Sequence, residues 1–352
     1  MKFPSNGPPL IRGGRKRGQL NPLDIDAILR TPPIPIPWVI EPWIVRGDIV
    51  CNAGEPKVGK SLVALNLAAA LVSNTPFLGA LQVLGGPYRI MYADAENNEA
   101  MMSRRIRRLL VGLEMTGGEF PSESLRYFCE PGLKLDDEAW YEEFVRVVDD
   151  FEPDFIFLDS LIRFHRGDEN SNAAMSAFFC DRIKPVATKY RAGIFMTHHL
   201  SKPGPNSYSG DLCHRVRGAS DILAAVDQLW TLELDTSGHL LLRHERSRWA
   251  DTAPPISINI EDVNGGEGVR LTIEDVPVSV EGLLLQSLRE AEAGGVLRKD
   301  IVAALRDAGL RAGDRLASKA LGRLHERGVV RKLAEGRDMR YWLREHAPAD
   351  AT

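Results

Sequence analysis

The stretch that decides the fold runs from Cys51 to Val72 and reads CNAGEPKVGKSLVALNLAAALV, a glycine-containing segment followed by an apolar, helix-forming run. Its middle has the spacing Gly54-x-x-x-x-Gly59-Lys60-Ser61. In this P-loop pattern, backbone amides and a helix N-terminus surround phosphates, the lysine reaches the β- and γ-phosphates, and the hydroxyl binds Mg²⁺. We therefore predict a site for ATP and Mg²⁺, with nucleotide contacts from Gly54, Glu55, Pro56, Lys57, Val58, Gly59, Lys60, Ser61 and Leu62.

The segments on either side of the P-loop alternate between strand and helix patterns. Strands are predicted at residues 48–52, 88–94, 154–159 and 193–199, with helices at 60–73, 99–113 and 173–190 between them. This βαβ series predicts an α/β fold with a parallel, doubly wound sheet. Four further segments joined by short turns predict antiparallel strands added at one edge, at residues 227–234, 239–245, 255–261 and 268–275.

The two ends of the chain differ in composition from this series. Residues 1–30 form a basic arm that starts with a glycine-, proline- and arginine-rich stretch, and we expect the arm to be flexible. The proline-rich stretch that follows predicts an extended strap across an ATPase domain of residues 31–275. Residues 280–345 predict a winged helix-turn-helix, with helices at 280–291, 297–308 and 313–327 and a hairpin around 335–337.

The composition, with 44% hydrophobic and 26% charged residues among 352, is that of an ordinary globular protein. No apolar run reaches the length of a membrane span, and no secretory signal is recognisable, so we expect a cytoplasmic protein without a membrane partner. The four cysteines have no CxxC spacing, which disfavours a zinc site or a disulfide framework. The net charge is −4, yet residues 280–345 hold 14 Lys/Arg against 10 Asp/Glu, which predicts an anionic partner for this region.

Two carboxylates follow predicted strands at the edge where open α/β sheets bind ligands. Asp159 ends the apolar run DFIFLD, as the Mg²⁺-side acid of a P-loop site does. Glu96 follows the strand that ends at Asp94, where it can hold the attacking water in line with the γ-phosphate. Asp94 is the second candidate for this role, and Glu96 could instead cap the next helix.

His198 and His199 end a fourth strand, where either imidazole could hydrogen-bond the γ-phosphate and report its hydrolysis. Paired histidines could also bind a metal ion, but no third ligand stands at a suitable spacing. The loop after them, residues 201–218, is rich in glycine, proline and serine, and such loops often bind a partner. Arginines at the end of this loop and after it are candidates to stabilise charge on the γ-phosphate, also from a neighbouring subunit: Arg215, Arg217, Arg243, Arg246 and Arg248.

Taken together, these residues resemble a RecA-type core, and specifically the RepA-like replicative helicases of plasmids, phages and mobile elements. The resemblance spans about residues 30–260 and is carried by GEPKVGKS, YADAENN, FLDSLIRFHRGDENSNAAM, and THHLSK followed by RGAS. It implies that Lys60 and Ser61 bind nucleotide and Mg²⁺, Glu96 is the catalytic glutamate and Asp159 the metal-side acid. It further implies a phosphate sensor at His199 or His198, an arginine finger at Arg217, a DNA contact at Lys202, and nucleotide contacts from Arg246 and Arg248.

The sequence departs from the family at two places. The interior of the P-loop, Glu-Pro-Lys-Val, is bulkier than the small residues common there, and a basic C-terminal winged helix is not a feature of the minimal plasmid helicase.

In the C-terminal region, basic residues recur at every fourth position, which predicts one basic stripe on a helix. They are Arg315, Lys319, Arg323 and Arg327. We interpret the stripe as a duplex-DNA contact, with a solvated charged face as the alternative, and the hairpin adds Arg331, Lys332, Arg337 and Arg340.

Two functions remain from this reading. The first is an ATP hydrolase that assembles into a homohexamer and moves on single-stranded DNA during replication of a mobile element. The second is a non-motor ATPase that acts on duplex DNA through the winged helix, as a replication initiator, recombination accessory or regulator. A metabolic P-loop kinase is disfavoured, because no acceptor-site motif is recognisable.

Overall fold

Within the described residues, nine strands form one large sheet that has the P-loop strand near its middle. The computed structural model describes residues 22–32, 35–115, 118–200, 215–216, 220–234, 240–273, 284, 287–288, 291, 294–307, 313–326, 329–335, 338–348 and 351. The strands of the large sheet are β3 Ile49–Gly54, β4 Ile90–Asp94, β5 Leu125–Cys129, β6 Phe155–Asp159, β7 Gly193–His199, β8 Gln228–Leu234, β9 Leu240–Ser247, β10 Ile256–Val263 and β11 Gly268–Ile273. Their spatial order is β11-β10-β9-β8-β3-β7-β6-β4-β5.

Helices cover both faces of the sheet, as the alternating pattern predicts. They are α2 Lys60–Ser73, α3 Glu99–Gly112, α4 Glu138–Phe151, α5 Asn172–Phe178, α6 Lys184–Tyr190 and α7 Ser220–Ala225. One core lies between the sheet and α2 and α3, and a second core lies between the opposite face and α4 to α7. Strands β3, β4 and β6 are buried along their whole length, which explains why their sequences are continuous apolar runs. None of the helices in the described part of the chain is long and apolar enough to cross a membrane.

The mixed sheet confirms the expectation of a large, mostly parallel α/β core, with one correction at its edge. Strand β8 was expected to be an antiparallel addition, but it pairs in parallel with β3, so only β9, β10 and β11 are antiparallel. Since α7 precedes β8, the chain crosses over once more before the antiparallel meander begins.

Two elements were missing from the sequence prediction. Edge strand β5 is only half-buried, so its sequence lacks a clear pattern. Helix α4 does have a recognisable pattern. Asp137 accepts a hydrogen bond from the Trp140 amide at the N-terminus of the helix, and Phe144, Val148 and Phe151 form a buried stripe.

The predicted helix 173–190 is interrupted by a π-helical turn, Phe179–Ile183, because Pro185 has no amide proton to continue a regular helix.

The N-terminal segments include a short helix and the predicted strap. Helix α1, Ile25–Arg30, lies within the arm expected to be flexible, and none of its residues is buried. The strap contains a two-stranded antiparallel ribbon of β1, Trp38–Ile40, and β2, Ile44–Val45. Between these strands Trp43 is buried, with its ring 5.3 Å from that of Trp230 and 5.1 Å from that of His244. The strap is therefore fixed to the antiparallel side of the sheet.

A second, smaller group of elements follows the large sheet. It contains β12 Val296–Leu297, α8 Arg298–Asp307, α9 Gly313–Glu326, β13 Val330–Glu335 and β14 Asp338–Leu343, and its strands form an antiparallel sheet in the order β12-β14-β13. These elements enclose their own apolar core, which includes Leu305, Leu321 and Tyr341. Most of the predicted helix 280–291 and the hairpin tip at 336–337 lie outside the described residues. The domain boundaries and the winged-helix assignment stay predictions.

Candidate functional site

The P-loop connects β3 to α2 through a turn that requires glycine at two positions. Gly59 has φ 110°, a left-handed conformation that glycine adopts at little cost. A Cβ atom on Gly54 would lie 2.7 Å from the Leu232 carbonyl oxygen of β8, so only glycine fits beside that strand. Among the described residues, no side chain caps the first turn of α2. Its amides and helix dipole therefore face the loop, as a phosphate-binding turn requires.

Lys60 lies inside this turn rather than on the surface. Its Nζ donates hydrogen bonds to the carbonyl oxygens of Gly54, at 2.9 Å, and Glu55, at 2.8 Å. Burial lowers the pKa of this lysine, while the negative charges of Asp159 and Glu96 oppose the shift. Among the described residues the hydrogen-bond partners of Lys60 are two carbonyl oxygens, and a buried ammonium in this position can donate to a phosphate.

Asp159 lies at the end of β6 with both oxygens held by neighbouring side chains. Thr197 of β7 donates to Oδ1, and Tyr92 of β4 donates to Oδ2 at 3.0 Å. Burial raises the pKa of Asp159, while hydrogen bonds from Thr197 and Ser61 act in the opposite direction. The pairing of this carboxylate with the Ser61 hydroxyl fits Mg²⁺, which prefers oxygen ligands supplied by one or two carboxylates and the nucleotide.

Glu96 lies close to this pair, at the C-terminal edge of the sheet. Its Oε1 accepts a hydrogen bond of 2.6 Å from Ser160 and lies 3.7 Å from Nε2 of His199. The His199 imidazole and the Ser160 hydroxyl lower the pKa of Glu96 to about 2, against the effect of burial. The group is therefore a carboxylate at neutral pH, and its position fits the predicted role of holding water.

Asp94, the second candidate for this role, holds the turn that carries Glu96. Its Oδ1 accepts hydrogen bonds from the backbone amides of Glu96 and Asn97, both at 2.9 Å. Its Oδ2 accepts from Tyr127 at 2.8 Å and from the Asn97 side chain at 3.0 Å. The side chain is fully buried. These contacts favour Glu96 over Asp94 as the residue that meets water.

The two histidines point to opposite faces of β7, because side chains alternate along a strand. His199 shares a face with Thr197 and lies beside Glu96. His198 is fully buried on the other face. The geometry therefore favours His199 as the sensor candidate, an alternative that the sequence left open.

Four of the five predicted arginines lie within the described residues, and Arg243 is one of them: it forms an ion pair of 2.8 Å with Glu233 of β8. Arg217 lies outside the described residues, as does Lys202. Arg215 forms an ion pair of 2.6 Å with Glu55 of the P-loop. Arg246 and Arg248 are exposed and donate to the Leu223 and Ala224 carbonyl oxygens at the end of α7.

Arg246 and Arg248 lie at the end of the sheet opposite the P-loop. Arg246 is level with Leu229, which pairs with Cys51 near the start of β3. Arg248 donates to Asp227, whose amide binds the Ile49 carbonyl. Gly54 stands five positions after Ile49, a distance of about 16 Å along a strand. The structure does not bring these arginines to the P-loop of their own chain, and their nucleotide contact stays a prediction.

The predicted DNA-binding stripe is only partly described. Helix α9 contains the backbones of Arg315, Lys319 and Arg323, but the side chains of Arg315 and Arg323 are outside the description, as is all of Arg327. Lys319 forms an ion pair with Asp251 of the large unit. Both side chains are exposed, so Lys319 has an acidic neighbour but stays open to solvent.

Three site residues were not recognised in the sequence: Thr197, Tyr92 and Tyr127. Thr197 stands two residues before His199, and Tyr92 stands two residues before Asp94. Tyr127 stands two residues before Cys129, which pairs in register with Asp94. Side chains two residues apart on a strand lie on the same face of the sheet, so this spacing could have identified the three residues from the sequence.

A comparison with protein families agrees with this geometry. The family model described as an AAA domain matches residues 15–205, more than half of the chain. The chain belongs to this AAA domain family. No protein among those with curated descriptions matches it. The matched span contains Lys60, Glu96 and Asp159 but ends before Arg246.

AAA domains are a family of P-loop ATPases, so membership indicates an AAA/RecA-type ATPase. It implies nucleotide binding and usually Mg²⁺, and the residues at the C-terminal ends of β3, β4, β6 and β7 fit both.

Proposed function

We propose that this protein is an ATP-driven motor of the RepA-like hexameric helicase type, which hydrolyses ATP at subunit interfaces and moves on single-stranded DNA. The observation that carries the proposal is the grouping of Lys60, Asp159 and Glu96 at one edge of the sheet, with exposed arginines at the opposite end. In a head-to-tail ring, one end of each subunit contacts the opposite end of the next subunit. The phosphate-binding residues of one chain could then form a shared site with the arginines of its neighbour.

The residues of one chain divide the chemistry between them. Lys60 and the P-loop amides would hold the β- and γ-phosphates, and Ser61 and Asp159 would hold Mg²⁺, which would supply positive charge next to the phosphate oxygens. Glu96 orients the attacking water, and Ser160 and His199 fix its carboxylate. His199 is the group that we assign to sensing the γ-phosphate.

The second half of the site comes from the next subunit in this proposal. Arg246 and Arg248 are candidates because they cannot reach the P-loop of their own chain. Arg217 is the third candidate. An arginine supplied in this way stabilises charge on the transferred phosphoryl group.

The C-terminal unit is proposed to be a winged helix-turn-helix that binds duplex DNA. Helices α8 and α9 followed by the β13–β14 hairpin support this assignment. The pairing of Lys319 with Asp251, and of Arg340 with Glu335, reduces the positive charge available to phosphates.

Unwinding of a forked duplex separates the two functions. The motor should displace a labelled strand in the presence of ATP, and the same chain with Glu96→Gln should bind the fork without displacing it. If the wild-type protein hydrolyses ATP in response to duplex DNA but displaces no strand, the non-motor function is correct.

A further inference from the structure

Three aromatic rings form a stack beneath the candidate site. Tyr92 on β4 pairs in register with Phe157 on β6 and with Tyr127 on β5. The Tyr92 ring lies 5.2 Å from that of Phe157 and 4.7 Å from that of Tyr127, with interplanar angles of 11° and 13°. Phe157 and Tyr92 are almost completely buried, and Tyr127 is half-buried. The stack fixes the direction in which the two phenol groups point.

Each hydroxyl reaches an aspartate on the neighbouring strand, and the same geometry occurs twice. Tyr92 donates to Asp159, which is two residues beyond its register partner Phe157. Tyr127 donates to Asp94, which is two residues beyond its register partner Tyr92. Burial raises the pKa of both phenols, and in the structure both hydroxyls are hydrogen-bond donors to a carboxylate.

The two aspartates serve different parts of the site. Asp159 pairs with the Ser61 hydroxyl on the metal side. Asp94 holds the backbone of the turn that carries Glu96. A hydroxyl lost from Tyr92 would therefore affect the metal side, whereas one lost from Tyr127 would affect the turn that places the water.

We propose that Tyr92 and Tyr127 are positioning residues with separate roles: Tyr92 orients the Mg²⁺-side carboxylate, and Tyr127 orients the turn that carries the general base. This inference rests on the proposed ATP hydrolysis and extends it to residues outside the P-loop motifs. Phenylalanine cannot replace either tyrosine in this proposal, although it would keep the ring stack intact.

The test uses Tyr92→Phe and Tyr127→Phe in the full chain, with Tyr88→Phe as the matched control. Tyr88 donates its hydroxyl to the Leu84 carbonyl oxygen, so the control also removes one hydrogen bond, but away from the site. Binding of a fluorescent ATP analogue is measured during a Mg²⁺ titration in the Glu96→Gln background, which separates binding from turnover. Steady-state kcat and KM are measured with Glu96 present.

Tyr92→Phe should raise the Mg²⁺ concentration for half-maximal binding by about 10-fold or more, the range seen when a group that orients a metal ligand is lost. Tyr127→Phe should leave the Mg²⁺ titration unchanged and lower kcat by about 10-fold at unchanged KM, as expected for an interaction made only in the transition state. Tyr88→Phe should match the parent in both measurements.

Two further variants test the same roles by a second route, and Thr197→Val also stands in for Tyr92→Phe if that variant unfolds. Thr197→Val removes the hydroxyl that donates to Oδ1 of Asp159, and it should shift the Mg²⁺ titration as Tyr92→Phe does. Combining Tyr127→Phe with Asp94→Asn should lower kcat little further than Asp94→Asn alone, because both act on one contact.

The outcomes separate this inference from the proposed function. If the Glu96→Gln chain shows no Mg²⁺-dependent nucleotide binding, the proposed ATPase is wrong. If it binds normally, but the two tyrosine variants match the control or change the same parameter equally, the tyrosine roles are wrong and the ATPase stands.

Discussion

Lys60 and Glu96 are both acid–base groups at the same site, yet their surroundings assign them opposite tasks. Lys60 is buried and held by carbonyl oxygens that a phosphate would replace as its partner. Glu96 is fixed by Ser160 and His199 and remains ionised. One residue therefore serves binding, and the other serves chemistry.

Lys60→Ala and Glu96→Gln should consequently fail at different steps. Lys60→Ala should lose ATP affinity, measured by calorimetry. Glu96→Gln should bind ATP with unchanged affinity but hydrolyse it at least about 100-fold more slowly, the lower range of general-base contributions. Full turnover by Glu96→Gln would transfer the role to another carboxylate.

Asp48, at the opposite end of β3, is a buried acid in a chain of hydrogen bonds. It accepts from Gln228 at 2.9 Å and from Trp249 at 2.8 Å, and Gln228 binds His244 at 2.8 Å. Burial raises the pKa of Asp48 to about 6 and lowers that of His244 to about 4. Both groups are therefore more stable in their neutral forms.

These shifts predict opposite dependences of stability on pH. The contribution of Asp48 is fully present below its unfolded pKa of 3.8 and is lost as the pH rises through about 6. The contribution of His244 is fully present above its unfolded pKa of 6.5 and is lost as the pH falls through about 4. The two effects partly cancel in the wild-type chain.

Asp48→Asn should remove one of these effects and reveal the other. The unfolding free energy of the wild-type chain minus that of the variant should be more positive at pH 4 than at pH 7. For a shift of two pKa units the change is about 2–3 kcal/mol. Urea denaturation at the two pH values measures it. An equal difference at both values would show that Asp48 does not titrate in this range.

Helix α3 links the site to the far edge of the sheet. It begins next to the turn that carries Glu96, and it ends at Gly112, where its backbone touches β11. A Cβ atom on Gly112 would lie 1.8 Å from the Val269 carbonyl oxygen. Arg270 of β11 also donates to the Gly112 carbonyl oxygen at 3.0 Å. Glycine is required here for close approach, not for backbone conformation.

Gly112→Ala should therefore separate α3 from β11. We expect destabilisation of about 1–3 kcal/mol, as for other overpacked contacts, together with a lower kcat because α3 supports the Glu96 turn. Gly322→Ala is the matched control: it lies in helix α9 with no atom within 4 Å of the added Cβ, and alanine favours a helix. Equal stability of the two variants in urea would contradict the close contact.

The sequence predicted most elements around the nucleotide because their signals are local. A P-loop, a buried strand and the residue that ends it lie within a few residues of each other, as in the run from Ile49 to Lys60. What it could not predict depends on pairing between distant strands. The register between strands determines which histidine lies beside Glu96, which hydroxyls reach Asp159, and where Arg248 lies. This register cannot be read from a single sequence.

The assembly itself can be tested by mixing subunits. Arg248→Ala and Glu96→Gln should each lower ATP turnover strongly, by about 10³-fold or more for a lost arginine finger. If each site takes its acid from one chain and its arginine from the next, a mixture should recover activity at interfaces with two intact halves. Confirmed mixed assembly without recovery would exclude Arg248, and the same mixture with Arg217→Ala tests the other candidate.

The strand order also has a consequence for how this protein is made. Strand β3 leaves the ribosome early, but its two neighbours, β7 and β8, are synthesised more than a hundred residues later. A nascent chain therefore exposes an apolar strand whose edges are unpaired. Such a strand is prone to wrong pairing and aggregation, which chaperones counteract. A fragment ending at residue 205 should aggregate on expression, whereas one ending at Ile273 should remain in solution and bind ATP. If the shorter fragment also stays in solution and binds ATP equally well, β8 to β11 are dispensable for the nucleotide site.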